Sequence, residues 1–507
     1  MALYLIGIGG TGAKCVEAVT QIAASGLFSE STIRVLFVDA DETNGNLERS
    51  RTSIGIYQKC YQLIGSEQQS GWMSTKLESF GVWSPLDKVS TNKNLGSFFN
   101  YNNLKHNNPQ LGNLFDVLYT KEEREANLDV GFRGRPAIGS AIISQLDLDA
   151  LNKKPWGTII QQLQTDVSAG KLPKVFLCGS MFGGTGAAGL PTIARLIAKK
   201  LDKEQIRDRI EIGCLFILPY FGFSTASSQN QHGVYAHSEQ FLLNTEAALR
   251  YYVTQAKHTF NTVYLLGNQN FSQYKFSIGK QTQRNEPHFI ELYAGLAVRH
   301  FLSHNSSEQG EVILIRRKEP GQLAWSDLPE SDQVKSELVN ATRFAYTWLA
   351  NIAPELAEAK RMGTKDFQKG APWFSKFFRP NMGLFNSILS NKDKALPDFN
   401  DTQEQQAIEV ISNWCQDYLR WLYQLHQNDS EQIQLFQSNA FSNPAGELSP
   451  EHLATLVLGD NRDKGRQSQD TVQRLKQKLY DTQDLNLMPP NKGTVGLAKS
   501  LYILCRL

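Results

Sequence analysis

Two short glycine clusters carry the residue types and the spacing to bind phosphate. Gly7-x-Gly9-x-x-Gly12 follows the apolar run 3–8 and precedes Val16, Val19, Ile22 and Ala23 at helical spacing. Gly183-Gly184-Thr185-Gly186 sits in the same context, after the apolar run 175–178 and before a helical pattern over 191–201. Glycine lets backbone N–H groups approach a phosphate oxygen, and a helix N-terminus adds partial positive charge. Thr185 adds a hydroxyl at a helix start. Gly9, Gly10, Thr11 and Gly12 with Gly183, Gly184, Thr185 and Gly186 are therefore the candidate phosphate ligands. A side chain at Gly184 is expected to occupy the phosphate's place.

The first cluster alone has dinucleotide spacing, and Asp39 ends the next apolar run, 33–38, where an acid can take ribose hydroxyls. Asp39 also fits a turn former. A Walker A loop is excluded, because it needs GxxxxGK followed by Ser or Thr. Here Lys14 follows Gly12-Ala13, and Cys15 comes next. A dehydrogenase uses one glycine turn per nucleotide. Two such turns in one parallel sheet imply a ligand with two or three phosphates, gripped by adjacent strand ends. An NAD(P)-dependent oxidoreductase stays as an alternative, although no His or Tyr/Lys constellation for hydride chemistry stands out. Arg133 and Arg135 lie in the polar turn 131–136 and can pair a terminal phosphate, or serve as solvated surface charges.

These residues need a scaffold. Strand 3–8, glycine turn, helix and strand 33–38 make a βαβ unit, which predicts a parallel sheet covered by helices. Further strands are predicted over 210–218, 262–266 and 312–315, and helices over 137–146 and 238–256. Residues 287–302 form a long, mostly apolar pattern, expected as a helix in the centre of the molecule. Residues 45–130 are polar with few long periodic runs, and the Asn/Ser/Lys-rich stretch 88–113 reads as a long surface loop. From 332 onward the pattern is helical, especially 334–352 and 404–427. Residues 391–402 and 439–450 read as loops, and 494–504 as a final strand. The fold class is α/β. A parallel-sheet nucleotide-binding domain over 1–303 includes the core helix 287–302, and a mostly helical domain follows over 304–507.

The bulk numbers bound the rest. A chain of 507 residues predicts two to four packed units. With 41% hydrophobic and 20% charged residues it is ordinary for a globular protein. The net charge of +2 gives no whole-chain nucleic-acid footprint. None of the six cysteines sits at CxxC spacing, so a reduced, cytoplasmic chain without structural zinc is expected. No signal-peptide pattern is present, and no apolar stretch reaches the roughly 20 residues of a bilayer span.

The run 179–189, which contains Gly183-Gly184-Thr185-Gly186-Ala187-Ala188-Gly189, resembles the glycine signature of tubulin and FtsZ. It ends GGTGAAG where that family has GGTGTG or GGTGSG. Residues 7–12 are similar to the first phosphate loop of FtsZ. Val38-Asp39-Ala40-Asp41 resembles the acidic loop after the second strand, with Asp41 at the family's Asp position. Residues 131–139 resemble the loop facing the terminal phosphate, and Phe216-Ile217-Leu218-Pro219 the loop near the ribose. Leu266-Gly267-Asn268 resembles the loop whose Asn touches the base, with a left-handed turn after Gly267 as the alternative role of Asn268, and 287–302 resembles the core helix. His288 and Phe289 begin that apolar helix and are read as core, with stacking on the base the alternative for Phe289. The resemblance covers residues 1–330 in order and is nearest to divergent bacterial tubulin-like proteins.

It implies GTP as ligand, with ATP as the alternative, and Mg2+ beside it. It also implies head-to-tail self-association, with hydrolysis completed across the subunit contact. Asp327, in Ala324-Trp325-Ser326-Asp327-Leu328, resembles the second acid of the catalytic loop, and the first acid is missing. Lys14 stands where FtsZ has a base-contacting Asn, and Tyr293 where the core helix carries Asn or Asp, so base choice is expected not to be strictly guanine. The alternative within the same fold is a non-polymerising nucleotide-binding regulator or a component of a multi-gene stress or antiviral-defence system. Protein partners would then meet the C-terminal domain.

Overall fold

The N-terminal apolar run forms β1 (Ala2–Ile8), buried at every position. Such a strand is covered on both faces and belongs inside a parallel sheet. The other sheet strands are β2 (Thr32–Val38), β3 (Lys76–Trp83), β4 (Lys174–Ser180), β5 (Glu211–Ile217), β7 (Thr262–Leu266) and β9 (Glu311–Ile315). Two short strands between them, β6 (Phe221–Phe223) and β8 (Ser272–Tyr274), pair with each other. The sheet order is β3-β2-β1-β4-β5-β7-β9. The pairs from β2 through to β9 all run parallel. The order turns back at β1, which lies between β2 and β4, and ligands of open α/β sheets bind outside the strand ends at such a switch point.

The computed structural model describes residues 2–28, 31–65, 71–87, 92–223, 236–256, 258–277, 279–305, 309–317, 321–381, 395–428, 431–441, 453, 456–458, 471–481 and 492–506. They fall into two units. The first is Met1–Val19, Glu30–Ile54 and Leu77–Arg317; the second is Thr20–Ser29, Gly55–Lys76 and Lys318–Leu507.

The chain runs from β1 into α1 (Gly9–Ala24), whose residues up to Val19 belong to the first unit, and from β2 into α2 (Gly45–Ile64), whose residues up to Ile54 belong to it. The helices α7 (Pro136–Ile143), α8 (Trp156–Ser168) and α9 (Gly184–Lys203) pack on one face of the sheet. Their Ile142, Leu163 and Ile193 share one core with Tyr4, Ile6, Val175 and Cys214. Side chains alternate along a strand, so Phe176 points to the other face. There it meets Phe301 of α11 (Phe289–Ser303) with ring centroids 5.0 Å apart. The predicted core helix is thus present and buried along most of its length. The helix predicted over 238–256 is α10 (Phe241–Tyr251) with a 3-10 turn before it and a π turn after it.

The expected loop over 88–113 is not a loop in its described part; residues 88–91 lie outside the described residues. Helices α3 (Leu95–Phe98), α4 (Tyr101–Asn107) and the start of α5 (Pro109–Leu118) fill it, and α6 (Lys121–Glu125) follows. Its asparagines mark helix starts: Asn94 accepts from Ser97 N and Asn108 from Leu111 N, the latter with Pro109 at the first helical position. The polar stretch after 45 likewise begins with the whole of α2. Its apolar face, Leu47, Ile54, Tyr57, Cys60 and Ile64, is diluted by buried Arg49, Ser50 and Ser53.

The second unit is mostly helical. It holds α12 (Ser331–Thr347), α13 (Ala353–Met362), α14 (Thr364–Gly370), α15 (Phe374–Phe377), α16 (Thr402–His426), α17 (Val472–Tyr480) and α18 (Gly493–Leu504). A parallel pair, β10 (Gln322–Ala324) and β11 (Gln432–Gln434), completes it. The last helix corrects the strand expected over 494–504. Leu497, Ala498, Leu501 and Tyr502 are buried at helical spacing, and a short apolar run fits either element until its burial is known. Trp72 anchors this core, with its ring 4.7 Å from Phe344, 5.5 Å from Trp414 and 5.2 Å from Tyr502. Of the two loops expected here, 391–394 and 442–450 lie outside the described residues. The α/β class, the long core helix and the helix-rich C-terminal part are as the sequence predicts. No described helix is long and apolar enough to cross a membrane.

Candidate functional site

The chain leaves β1 and enters α1 at Gly9, whose φ of +72° lies in the left-handed region that glycine adopts freely. Three strands further along the chain, β4 leads into α9, which starts at Gly184 with Gly183 as N-cap. Because β1 and β4 are neighbours, the two helix N-termini converge. A Cβ built on Gly9 would lie 3.4 Å from the amide nitrogen of Gly186 and 3.4 Å from Thr185 Cβ. A helix start leaves its first N–H groups without intrahelical partners, so two sets of donors face one cleft. Gly9, Gly10, Thr11, Gly183, Gly184, Thr185 and Gly186 all line it.

Asp39 and Asp41, just past β2, line the same cleft. Asp39 is 4% exposed. Its Oδ1 accepts from Asp41 N at 3.2 Å and from Thr185 Oγ1 at 3.2 Å. Burial, reinforced by the neighbouring charge of Asp41, pushes the Asp39 carboxyl up to about 7, against these hydrogen bonds that hold it down. Asp41 accepts from Thr43 N and Thr43 Oγ1 on one oxygen and from Lys280 N, at 2.6 Å, on the other.

The loop 131–134 forms a third wall, with Arg133 on it. Arg133 Nε donates to Asn127 O at 2.8 Å. Here an expectation changes. A Cβ on Gly184 would lie 2.8 Å from Phe132 Cβ and 3.3 Å from Gly134 N. The missing side chain makes room for this loop, not directly for a phosphate.

A strap between β8 and α11 closes the side next to α2. Asn44 Nδ2 donates to Gln283 Oε1 at 2.8 Å, Asn46 N to Gln283 O at 3.1 Å, and Asn285 N to Asn46 Oδ1 at 2.8 Å. Gln283 and Asn285 of the strap line the cleft together with Tyr274 of β8, Asn44, Asn46 and Tyr220. Sequence reasoning missed all six. Asn44-Gly45-Asn46 did carry a signal, since asparagines favour helix starts. The strap contacts join residues 239 apart in sequence and leave no local trace.

One turn along α1 from Gly10, Lys14 also reaches the cleft. Its ammonium is 2.5 Å from Glu291 Oε1, with the two side chains 2% and 0% exposed. Tyr220 OH donates to the same oxygen at 3.1 Å, and His288 N to Glu291 Oε2 at 3.0 Å. Burial raises the Glu291 carboxyl, with Lys14 opposing it. His288 is held well below its ordinary value by burial, with Lys14 and Arg317 adding to it. Its Nδ1 accepts from Ile290 N, which leaves the proton on Nε2 facing Ser272 Oγ at 3.0 Å. Lys14 Nζ stands 5.7 Å from the Tyr220 ring centre and 5.4 Å from that of Tyr274.

No family model and no curated protein matches the chain. Solved structures similar to it include two CetZ proteins. CetZ2 of Haloferax volcanii, described as a GTPγS-bound protofilament, is 15% identical with a TM-score of 0.27, over 59% of this chain and 59% of that one. CetZ of Methanosaeta thermophila is 12% identical with a TM-score of 0.26, over 61% of this chain and 56% of that one. The chain thus spans well under two thirds of either structure. What the cleft can hold follows from its own residues.

Several expected site residues stand off the cleft wall. A Cβ on Gly12 would lie 2.6 Å from Cys178 O, so Gly12 serves the approach of α1 to β4. Arg135 Nη1 donates to Gln240 at 3.0 Å. Asn268 donates to Asn270 O at 2.7 Å and accepts from Arg317 at 2.9 Å. Phe289 is fully buried, with the Arg317 guanidinium 5.0 Å from its ring centre. Tyr293 is buried in α11. Asp327 belongs to the second unit, where its Oδ2 accepts from Ala324 N at 2.8 Å.

Proposed function

We propose that the cleft binds a nucleoside triphosphate, with its phosphates on the N-termini of α1 and α9, in the manner the sequence resemblance to tubulin and FtsZ implies. The observation that carries this reading is the convergence of Gly9 with Thr185 and Gly186 across neighbouring strands. Two helix starts within contact distance can wrap a polyphosphate from two sides. A dinucleotide reading has less support, because it leaves the second glycine turn, 183–186, without a role.

GTP is the first candidate and ATP the second. The residues present fit a Mg2+–phosphate group, because Asp39 and Asp41 line the cleft and Mg2+ commonly takes one or two carboxylates plus phosphate oxygens and water. Such an ion would neutralise charge on the terminal phosphates. Asp39 would hold it, Thr185 would keep Asp39 oriented, and Arg133 would face the phosphates from the third wall.

The chain is further proposed to be a GTPase that associates head to tail, with Asp327 of one copy orienting water at the nucleotide of the next. Head-to-tail contacts build open filaments unless they close a ring. The test is to identify the nucleotide that co-purifies with the protein, and to image the protein by electron microscopy with GTP, with ATP and with neither. Filaments seen only with GTP support the whole reading. Tight NADH binding with no triphosphate binding would overturn it.

A further inference from the structure

We propose that Lys14 selects a 6-oxopurine base, and that the pocket reads the purine's 6-position without reading its 2-position. This rests on the triphosphate reading of the cleft. The phosphates are fixed at residues 9–11 and 183–186, and Lys14 lies four residues beyond Gly10 on α1, about 6 Å deeper along the helix. Tyr220 and Tyr274 stand beside it, so this end of the cleft offers flat aromatic surface as well as charge. It is the end suited to a purine.

The direction of selection follows from the hydrogen-bond inventory. An ammonium has three donors and no acceptor. Nζ donates to Glu291 Oε1 at 2.5 Å and to Tyr220 OH at 3.5 Å, which leaves one proton for a ligand. Guanine and hypoxanthine offer O6 and N7, two acceptors side by side. Adenine replaces O6 with an amino donor, which an ammonium repels. Lys14 is held in place by a carboxylate that is itself fixed by Tyr220 OH and His288 N. Reorienting it to suit adenine would strip a buried carboxylate of its partner, which is strongly unfavourable.

The same pairing explains why the 2-position goes unread. Guanine is usually distinguished from hypoxanthine by an acid that accepts from N1–H and the 2-amino group. Glu291, the acid behind Lys14, is fully buried, does not line the cleft, and faces Lys14 and Tyr220 with Oε1 and His288 N with Oε2. GTP and ITP should therefore look alike to this pocket.

The experiment is calorimetric titration of the nucleotide-free full chain with GTP, ITP and ATP, each with Mg2+. GTP and ITP are expected within about threefold of each other, and ATP weaker by roughly 10- to 100-fold, the range for a hydrogen bond to a charged group. The double variant Lys14→Met/Glu291→Gln removes both charges, keeps an amide oxygen as acceptor for His288 N, and leaves an NH2 that can donate to Tyr220 OH. In it the gap between GTP and ATP should fall below about threefold. Its melting temperature and circular dichroism establish that it is folded. Equal affinity for GTP and ATP in the parent protein, or GTP preferred over ITP by more than about tenfold, overturns the assignment to Lys14 while leaving triphosphate binding intact. Absence of binding by all three overturns the triphosphate reading itself, and this assignment with it.

Discussion

Thr185 Oγ1 donates to Asp39 Oδ1 at 3.2 Å, joining the first turn of α9 to the end of β2 across β1 and β4. The bond ties an anion-binding helix start to a buried acid. It makes the protonation state of Asp39 a property of the whole cleft.

Asp39 therefore sets a pH dependence of stability. Its folded value is raised to about 7, chiefly by burial. A raised value means the folded state holds the proton more tightly than the unfolded chain does. The stabilisation is complete below the unfolded value of about 4 and is lost as pH rises through about 7. Measured against Asp39→Asn, which keeps an acceptor for Thr185, the parent should lose on the order of 2 kcal/mol between about pH 5 and about pH 8. Urea denaturation of both proteins at the two pH values checks this, and parallel curves would contradict it.

Removing Mg2+ should expose the same group. Without the ion, an ionised Asp39 repels the phosphates, so GTP affinity in EDTA should fall as pH rises from about 6 to about 8. With Mg2+ the trend should reverse, because the ionised carboxylate is then the better ligand. Asp39→Asn should flatten both trends. Identical pH profiles with and without Mg2+ would separate Asp39 from the phosphate site.

Glycine substitutions should sort by what the new Cβ meets. On Gly186 it would lie 2.4 Å from Ser180 O, and on Gly184 2.8 Å from Phe132 Cβ. Gly186→Ala and Gly184→Val should lower stability as well as binding, by roughly 1–3 kcal/mol. On Gly10 the Cβ would lie 3.2 Å from Asn46 Nδ2 and 3.4 Å from Asn44 Oδ1, side chains that line the cleft. Gly10→Ala should weaken triphosphate binding by about tenfold or more with little change in melting temperature. Equal losses of stability in all three variants would refute this ordering.

The strap is expected to govern nucleotide release. Asn46→Ala removes the acceptor for Asn285 N. Residues 271–287 should then be cut faster by protease, and nucleotide should dissociate several-fold faster. Stopped-flow release of a fluorescent GTP analogue and limited proteolysis measure the two effects. No change in either would leave the strap a passive cover.

How much of this was legible in the sequence depends on how local each feature is. The glycine turns, Thr185, Asp39 and the parallel sheet announce themselves, because glycines between an apolar run and a helical pattern are a local signal. Asn44, Asn46, Gln283 and Asn285 did not, because their contacts cross most of the first unit. Asn268 takes its base role from its position in a pattern, and Phe289 reads as core with base stacking the alternative. In the fold both pack against Arg317, a residue the pattern does not include. The asparagines of 94–108 misled in the opposite way. They read as a loop because capping residues and loop residues are the same types.

Hydrolysis in trans is the last expectation to test, and the local structure of Asp327 decides which variant tests it. Its carboxylate accepts from Ala324 N and closes the short turn Trp325–Asp327. Asp327→Ala would remove that cap, at about 1 kcal/mol, along with the acid. Asp327→Asn keeps an acceptor for Ala324 N and removes only the charge and the basicity. A single carboxylate can orient or deprotonate water, so the Asn variant should bind GTP and assemble normally while hydrolysing it at least about tenfold more slowly. Its filaments should outlast those of the parent. If the acid acts across a subunit contact, parent GTPase activity per molecule rises with protein concentration. Mixing the parent with Asp327→Asn should then lower activity more than dilution does. Flat specific activity with normal turnover by Asp327→Asn would remove Asp327 from the chemistry and favour the non-polymerising regulator.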